Sequence, residues 1–212
     1  MSLKTQCLLC QGPAGIFEEI AQKGYFACQN CGAVFLDSRF HVSTQEEKAR
    51  YETHNNDVDD PGYQRFVQPV IDAVEQSFFP DCRGLDFGAG TGPVITKILR
   101  EKGYAVEIYD PFFANHPEAL EQKYDFIVCC EVIEHFRDPA KEFGLLRSLL
   151  NPRGALFCMT EVYSEGMDFR SWYYKNDPTH IFFYQHKTCE WIRDQYQFSS
   201  LERQGRLIQL FT

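Results

Sequence analysis

Two Cys-x-x-Cys turns, Cys7-Leu8-Leu9-Cys10 and Cys28-Gln29-Asn30-Cys31, gather four thiols near one end of the chain. Two residues between thiols let one turn present both sulfurs to a single metal ion, and four thiolates fill the tetrahedron that a structural zinc prefers. No coordination position would be left for a substrate, so such an ion would fold the segment rather than react. The stretch between the turns is long enough to return as a hairpin, the organisation of a zinc ribbon. A segment of about 35 residues is too small to bury a core of its own without such a staple. The competing uses of the thiols are a pair of disulfides, disfavoured in a reducing compartment, and a redox dithiol, which needs only one such turn. Cys82, Cys129, Cys130, Cys158 and Cys189 fall mostly in apolar strand or helix contexts, where a thiol is a small buried hydrophobe.

The second chemical feature is Gly84-Leu85-Asp86-Phe87-Gly88-Ala89-Gly90-Thr91-Gly92, an apolar run with one acid that breaks into glycines at alternate positions. Pro93 to Leu99 then has helical spacing, with proline at a permitted first-turn position. Strand, glycine loop and helix follow in that order. Glycines at such a turn let the backbone take positive φ and let a ligand approach the main chain closely. The dinucleotide-binding spacing is Gly-x-Gly-x-x-Gly, whereas this chain has Gly-x-Gly-x-Gly; a tight turn without a ligand is the plainer alternative.

Acid-x-Gly-x-Gly-x-Gly at the end of a first strand resembles motif I of class I S-adenosylmethionine-dependent methyltransferases, and the resemblance runs through roughly residues 60 to 212. It implies a seven-stranded, doubly wound, Rossmann-like α/β sheet. It also implies that Asp86 acts from below the loop, fixing its amides and helping to position the amino end of the cofactor methionine. Gly88, Ala89 and Gly90 would lie near that methionine, and Gly92 would allow close packing where the helix begins.

Asp110 closes the second strand, at the carboxyl end where open α/β sheets collect ligand groups. The resemblance assigns it the ribose hydroxyls; a turn-forming Asp before Pro111 is the other reading. The stretch from Phe112 to Lys123 is short and carries no clear acid for adenine. After the Tyr124 to Cys130 run come Glu131, Glu134 and His135, a segment resembling the post-strand-four motif of small-molecule methyltransferases. Glu131 is expected to line the cofactor cleft, and Glu134 or His135 to face substrate; a helix-starting Glu and a satisfied structural His are equally open. Asp177-Pro178-Thr179-His180 follows an aromatic insertion, Trp172-Tyr173-Tyr174, and resembles the acceptor-site segment of ubiquinone-biosynthesis-like enzymes. His180 could take a proton from an enclosed acceptor, against simple aromatic packing over the sheet edge.

These groups need elements to hold them. Tyr25 to Cys28 and Ala33 to Leu36 read as ribbon strands. Ser43-Thr44-Gln45-Glu46 has capping-box spacing and starts a polar helix through Tyr51, followed by an acidic loop, Thr53 to Pro61, readable as a lid or as a solvated connector. Tyr63, Phe66, Val67, Val70, Ile71 and Val74 recur at helical intervals and should pack on the next domain, with Pro69 as a bend or restart. Strands over Ala105–Tyr109, Tyr124–Cys130 and Ala155–Thr160 alternate with helices over Asp138–Leu150 and Lys187–Tyr196, and two apolar segments, Phe198–Leu201 and Leu207–Phe211, close the chain. Alternation of this kind predicts a parallel sheet wound on both faces. The expected division is a zinc-ribbon-like module at 1–40, a helical linker or lid at 41–61 and a methyltransferase domain at 62–212.

The 212 residues carry a formal net charge of −9. That balance disfavours a nucleic-acid partner, whose binding draws on basic patches and counterion release, and favours a small-molecule acceptor. Met1 to Cys7 lacks the apolar stretch of a secretion signal, although Met1-Ser2-Leu3 could be partly a cloning remnant, and no run of about 18 apolar residues could span a membrane. Cytoplasm is the expected compartment. A zinc module before a methyltransferase also resembles some ribosomal-RNA guanine methyltransferases and, in a much longer chain, sugar carbon-methyltransferases. A catalytically idle cofactor-binding protein that docks a partner through its ribbon is the alternative from another class. A nicotinamide oxidoreductase is the weakest.

Overall fold

The computed structural model describes residues 4–54, 56–164 and 166–212. Met1-Ser2-Leu3, the stretch read as a possible cloning remnant, and Asn55, within the expected lid loop, lie outside the described residues.

The centre of the molecule is a sheet of β5 (Arg83–Phe87), β6 (Ala105–Tyr109), β7 (Tyr124–Cys130), β8 (Leu150–Met159), β10 (Ser200–Gln204) and β11 (Leu207–Phe211), in the order β10-β11-β8-β7-β5-β6. The four strands from β6 to β8 are parallel; β11 runs antiparallel to β8, and β10 antiparallel to β11. Both faces of β7 are covered, because Phe126 and Val128 pack with one apolar cluster and Ile127 and Cys129 with the other. That burial explains its continuous apolar run. Helices α2 (Pro61–Ser77) and α3 (Val94–Glu101) cover one face; α4 (Pro139–Leu149) and α5 (His186–Gln195) cover the other.

The expected seven strands are six among the described residues. Between β6 and β7 the chain turns back through an Asp110–Ala114 bridge and a single 3-10 turn, Pro117–Glu121. A parallel crossover takes a dozen or more residues, so this span reaches β7 once and has no length for a third strand with its own crossovers. The last hairpin also starts later than Phe198, because Ser200 to Gln204 pairs register for register with Phe211 to Leu207.

Helix α1 (Thr44–Glu52) begins with the full capping box of Ser43 and Glu46. In α2, Val67, Val70, Ile71 and Val74 form the buried stripe, and the helix runs through Pro69 without a break. Phe66, expected in that stripe, is instead 37% exposed and faces the Arg206 guanidinium at 5.1 Å.

A second sheet joins β1 (Lys4–Gln6), β2 (Pro13–Ile20), β3 (Lys23–Cys28) and β4 (Val34–Leu36) to β9 (Phe182–Phe183), all antiparallel. The front segment therefore takes its last strand from the far part of the chain. Its apolar residues share that larger core: Leu9, Phe26 and Phe35 belong to one cluster with Leu85, Ile127 and Leu156.

Candidate active site

The carboxyl ends of β5, β6 and β7 open into a cavity of about 1320 Å3, with the glycine loop on one wall and Glu131, His135, Tyr174 and His180 on another. Gly88 has φ +80°, and a Cβ there would lie 2.5 Å from the Val132 side chain, so only glycine fits. Its amide and that of Ala89 donate to the Tyr109 carbonyl (2.8 and 3.3 Å), and the Gly90 amide donates to Asp110 Oδ2 (2.9 Å). The loop amides are thus held by the neighbouring strand end and not by Asp86, which is buried and accepts from the Thr96 hydroxyl at 2.7 Å. Parallel pairing sets Phe87 beside Tyr109, which puts the Tyr109 carbonyl within reach of the turn. Close approach at Gly92 serves the linker: a Cβ there would sit 1.9 Å from the Asn56 carbonyl oxygen.

Burial raises the Asp86 carboxyl to about 6 from an ordinary 3.8. The folded state then binds this proton more tightly than the unfolded chain, so Asp86 lowers stability as pH rises from about 4 to about 6 and keeps it lowered at neutral pH. Asp86→Asn keeps an acceptor for Thr96. It is expected to gain about 1–3 kcal/mol at pH 7 and nothing below about pH 4, measured by urea unfolding at both values.

Asp110 is 6% exposed. Its Oδ1 accepts from the amides of Phe112 and Phe113 (2.8 and 3.0 Å), which is the turn-forming role, while Oδ2 ties down Gly90. A carboxylate offers about four acceptor positions, so about one remains for a ligand hydroxyl.

Beyond β7, Glu131 takes φ +53°, a left-handed conformation that is unfavourable for a non-glycine residue. Both its oxygens lie 2.8 Å from Arg206 Nη2, and Tyr174 Oη stands 3.2 Å from Oε2. Burial, reinforced by the Glu134 carboxyl, pushes Glu131 up to about 8. Glu134 is fully buried; it accepts from the Tyr174 hydroxyl on Oε1, and its Oε2 has no partner among the described residues. His135 and His180 stand with ring centres 4.9 Å apart, each Nε2 lying 4.0 Å from Glu134 Oε1. Their Nδ1 atoms meet the carbonyls of Thr179 (2.9 Å) and Tyr174 (2.7 Å). A carbonyl only accepts, so each Nδ1 carries the proton, and each neutral ring directs a lone pair from Nε2 toward Glu134. Burial lowers both imidazoles below 6.5. Burial opposes the charged form of the neighbouring Asp177, but Thr179 and Arg50 outweigh it and hold the carboxyl at about 2.

Helix α1 lies over this side. The Tyr51 ring packs edge-on against His135 at 5.3 Å, Glu47 bonds Arg137, and Arg50 bonds Asp177. The cavity thus collects Glu131, His135 and His180, while Glu134 lies fully buried beside the two rings, and it adds Tyr174 as a donor and Arg206 from the β10–β11 turn. Arg206 carries no local sequence signal, being an exposed-looking hairpin residue far along the chain from Glu131.

A family model described as a methyltransferase domain matches residues 60–202. The chain belongs to that family. Over 77 residues the chain is 34% identical to the ubiquinone biosynthesis O-methyltransferase of Serratia proteamaculans, a match covering 36% of this chain and 32% of that protein. The chain thus spans about a third of the length of the curated relatives it matches. The methyltransferase fold recurs in the 1,6-didemethyltoxoflavin-N1-methyltransferase of Burkholderia thailandensis, solved with 1,6-didemethyltoxoflavin and S-adenosylhomocysteine (TM-score 0.53, 13% identity, 93% of this chain and 98% of that one). It recurs too in the magnesium protoporphyrin IX methyltransferase of Synechocystis with bound S-adenosylhomocysteine (TM-score 0.51, 16% identity, 82% and 96%). Among the described residues of this methyltransferase-family chain, no helix is long and apolar enough to cross a membrane.

Outside the cavity, the four front cysteines converge. Cys7 and Cys31 sulfurs are 3.6 Å apart, Cys10 and Cys28 sulfurs 3.3 Å, and all four lie within 4.8 Å of one another. A tetrahedron with zinc–sulfur bonds of about 2.3 Å has edges of about 3.8 Å, so the set fits one ion. The amides of Leu9 and Gly12 each point at a sulfur at 3.4 Å, as suits thiolates. By contrast, burial pushes the thiols of Cys129, Cys130 and Cys189 up, away from reactive thiolate.

Proposed function

We propose that this protein transfers a methyl group from S-adenosylmethionine to a small-molecule acceptor, with zinc held by Cys7, Cys10, Cys28 and Cys31 as a structural ion. The observation carrying this reading is the cavity that joins the Gly88–Thr91 loop, tied to Asp110, with a facing wall of half-buried proton acceptors. The cofactor supplies a methyl on a positively charged sulfonium, and the protein's part is to bind, orient and exclude water. Asp110 would accept one ribose hydroxyl, the Gly88 to Gly90 main chain would border the methionine part, and Glu131 would face the cleft. An acceptor hydroxyl would lose its proton to Nε2 of His180, with His135 as the second candidate, as its oxygen takes the methyl group. The acidic balance supports a small acceptor over ribosomal RNA.

The test is calorimetric titration of zinc-loaded protein with S-adenosylhomocysteine, with a nicotinamide dinucleotide as control. Saturable binding of the first alone is expected; its absence would remove the reading. Binding without methylation across a broad acceptor panel would favour the idle, partner-docking alternative.

A second reading of the acceptor wall has its own observation. Glu134, His135 and His180 offer ligand atoms within 4.8 Å of one another, the buried Glu134 Oε2 lacks a partner among the described residues, and both rings are anchored through Nδ1 as metal-binding imidazoles are. A divalent ion there would lower the pKa of an acceptor hydroxyl, and the Nε2 atoms would then serve as ligands and not as bases. Cobalt(II) titrated into zinc-loaded protein is expected to give a saturable visible absorption that His180→Ala abolishes. Absence of that absorption returns the histidines to proton transfer.

A further inference from the structure

We infer that the four-cysteine end of the chain is a positioning brace for the acceptor wall, acting through β4 on His180 and Glu134; the word acceptor rests on the methyl-transfer reading, the coupling itself does not.

The connection is continuous in hydrogen bonds. The second cysteine turn closes with Gly32 N–H on the Cys28 carbonyl (3.1 Å) and Cys28 N–H on the Ala33 carbonyl (2.8 Å). Strand β4 starts at Val34, immediately after this turn, and pairs with β9 at Val34–Phe183 and Phe35–Phe182. Beyond that ladder, Leu36 N–H donates to the Ile181 carbonyl (2.9 Å), and Ile181 N–H donates to the Glu134 carbonyl (3.0 Å). His180 is the residue before Ile181. Its ring is fixed by the Tyr174 carbonyl, and Tyr174 sits in an apolar cluster with Tyr25, Val34, Leu36, Ile181 and Phe183. Two side chains strap the same joint from the far side: Gln185 Nε2 donates to the Gly32 carbonyl (2.6 Å), and Lys187 Nζ to the Gln29 carbonyl (3.1 Å).

Strands this short do not hold themselves. β4 has three residues and β9 two, below the usual strand length, so their geometry must come from what anchors their ends. On one side that anchor is the second cysteine turn, whose folding would be linked to binding of the ion. The cofactor loop is anchored differently, by Tyr109 and Asp110 at the end of the parallel sheet. Losing the ion should therefore loosen one wall of the cavity and spare the other.

The experiment compares zinc-loaded full-length protein with the same protein after chelation, reading hydrogen exchange by mass spectrometry and S-adenosylhomocysteine affinity by calorimetry. Exchange over 34–37 and 178–184 is expected to accelerate at least roughly tenfold, with affinity changed less than about twofold. The Nδ1–H resonance of His180, a signal that general loosening elsewhere would not move, is expected to broaden. Unchanged exchange at 178–184 after zinc loss would overturn the inference, and so would equal acceleration over the β5–β6 strands. Gln185→Ala provides the arm that keeps the metal: with zinc content unchanged, exchange at 178–184 should still rise about two- to fivefold, and no rise would count against the brace. Failure of the zinc-loaded protein to bind S-adenosylhomocysteine would overturn the methyl-transfer reading and leave the exchange result to decide the coupling.

Discussion

Asp110→Ala is expected to weaken S-adenosylhomocysteine binding roughly tenfold or more and to lower stability by about 2–4 kcal/mol. One carboxylate accepts three backbone amides, those of Gly90, Phe112 and Phe113, so truncation strands three donors in a nearly buried place. The stability loss follows from that alone. The affinity loss follows from the Gly90 bond, because an untethered loop must be ordered again at the expense of binding. Asp110→Asn separates the two effects. An amide has one acceptor oxygen: turned toward Phe112 and Phe113 it keeps the turn but opposes an NH2 to the Gly90 amide. Stability should then recover most of its loss while affinity stays low. Calorimetry and urea unfolding on both variants decide the matter. An alanine variant that is destabilised but binds as tightly as the parent would leave Asp110 a turn residue with no part in the cofactor site.

That double duty explains which parts of the site could be read in advance. The glycine spacing, the acid at the end of the second strand and the two Cys-x-x-Cys turns are local, and local geometry follows from residue type over a few positions. Both readings offered for Asp110, turn former and ligand group, come from one short segment, and the structure realises the first without excluding the second. Tertiary partners carry no such signal. Arg206 clamps Glu131 across 75 residues, and Tyr174 hydrogen-bonds Glu134 across 40; nothing in either neighbourhood marks the pairing. The missing strand was half legible. The Phe112 to Lys123 stretch is visibly short, and crossover length alone leaves no room in it for the further parallel strand that the family topology implies. Phe66 fits the helical period and still faces the cleft, because periodicity assigns a side to a residue and cannot see that Arg206 and the cavity, not the core, meet it there.

His180→Ala is expected to lower methyl transfer to a hydroxyl acceptor by about 100- to 10,000-fold while S-adenosylhomocysteine affinity stays within about twofold. The argument rests on where the proton sits. Nδ1–H is committed to the Tyr174 carbonyl, so the neutral ring has its free lone pair on Nε2, beside Glu134. Burial lowers the imidazole below 6.5, although the Glu134 carboxylate pulls the other way. At neutral pH the ring is therefore unprotonated and ready to accept. Turnover should fall as pH drops through the depressed histidine value, because protonation removes the lone pair, and His180→Ala should erase that acid limb along with most of the rate. His135→Ala is the necessary comparison, since its ring has the same tautomer and the same distance to Glu134. Loss confined to the His135 variant would move the base to that ring. A loss below about tenfold in both would mean that the acceptor gives up its proton without a histidine, as an activated carbon or nitrogen can. Orientation against the sulfonium would then carry the rate, and turnover would need neither a histidine base nor an ion held by the two rings.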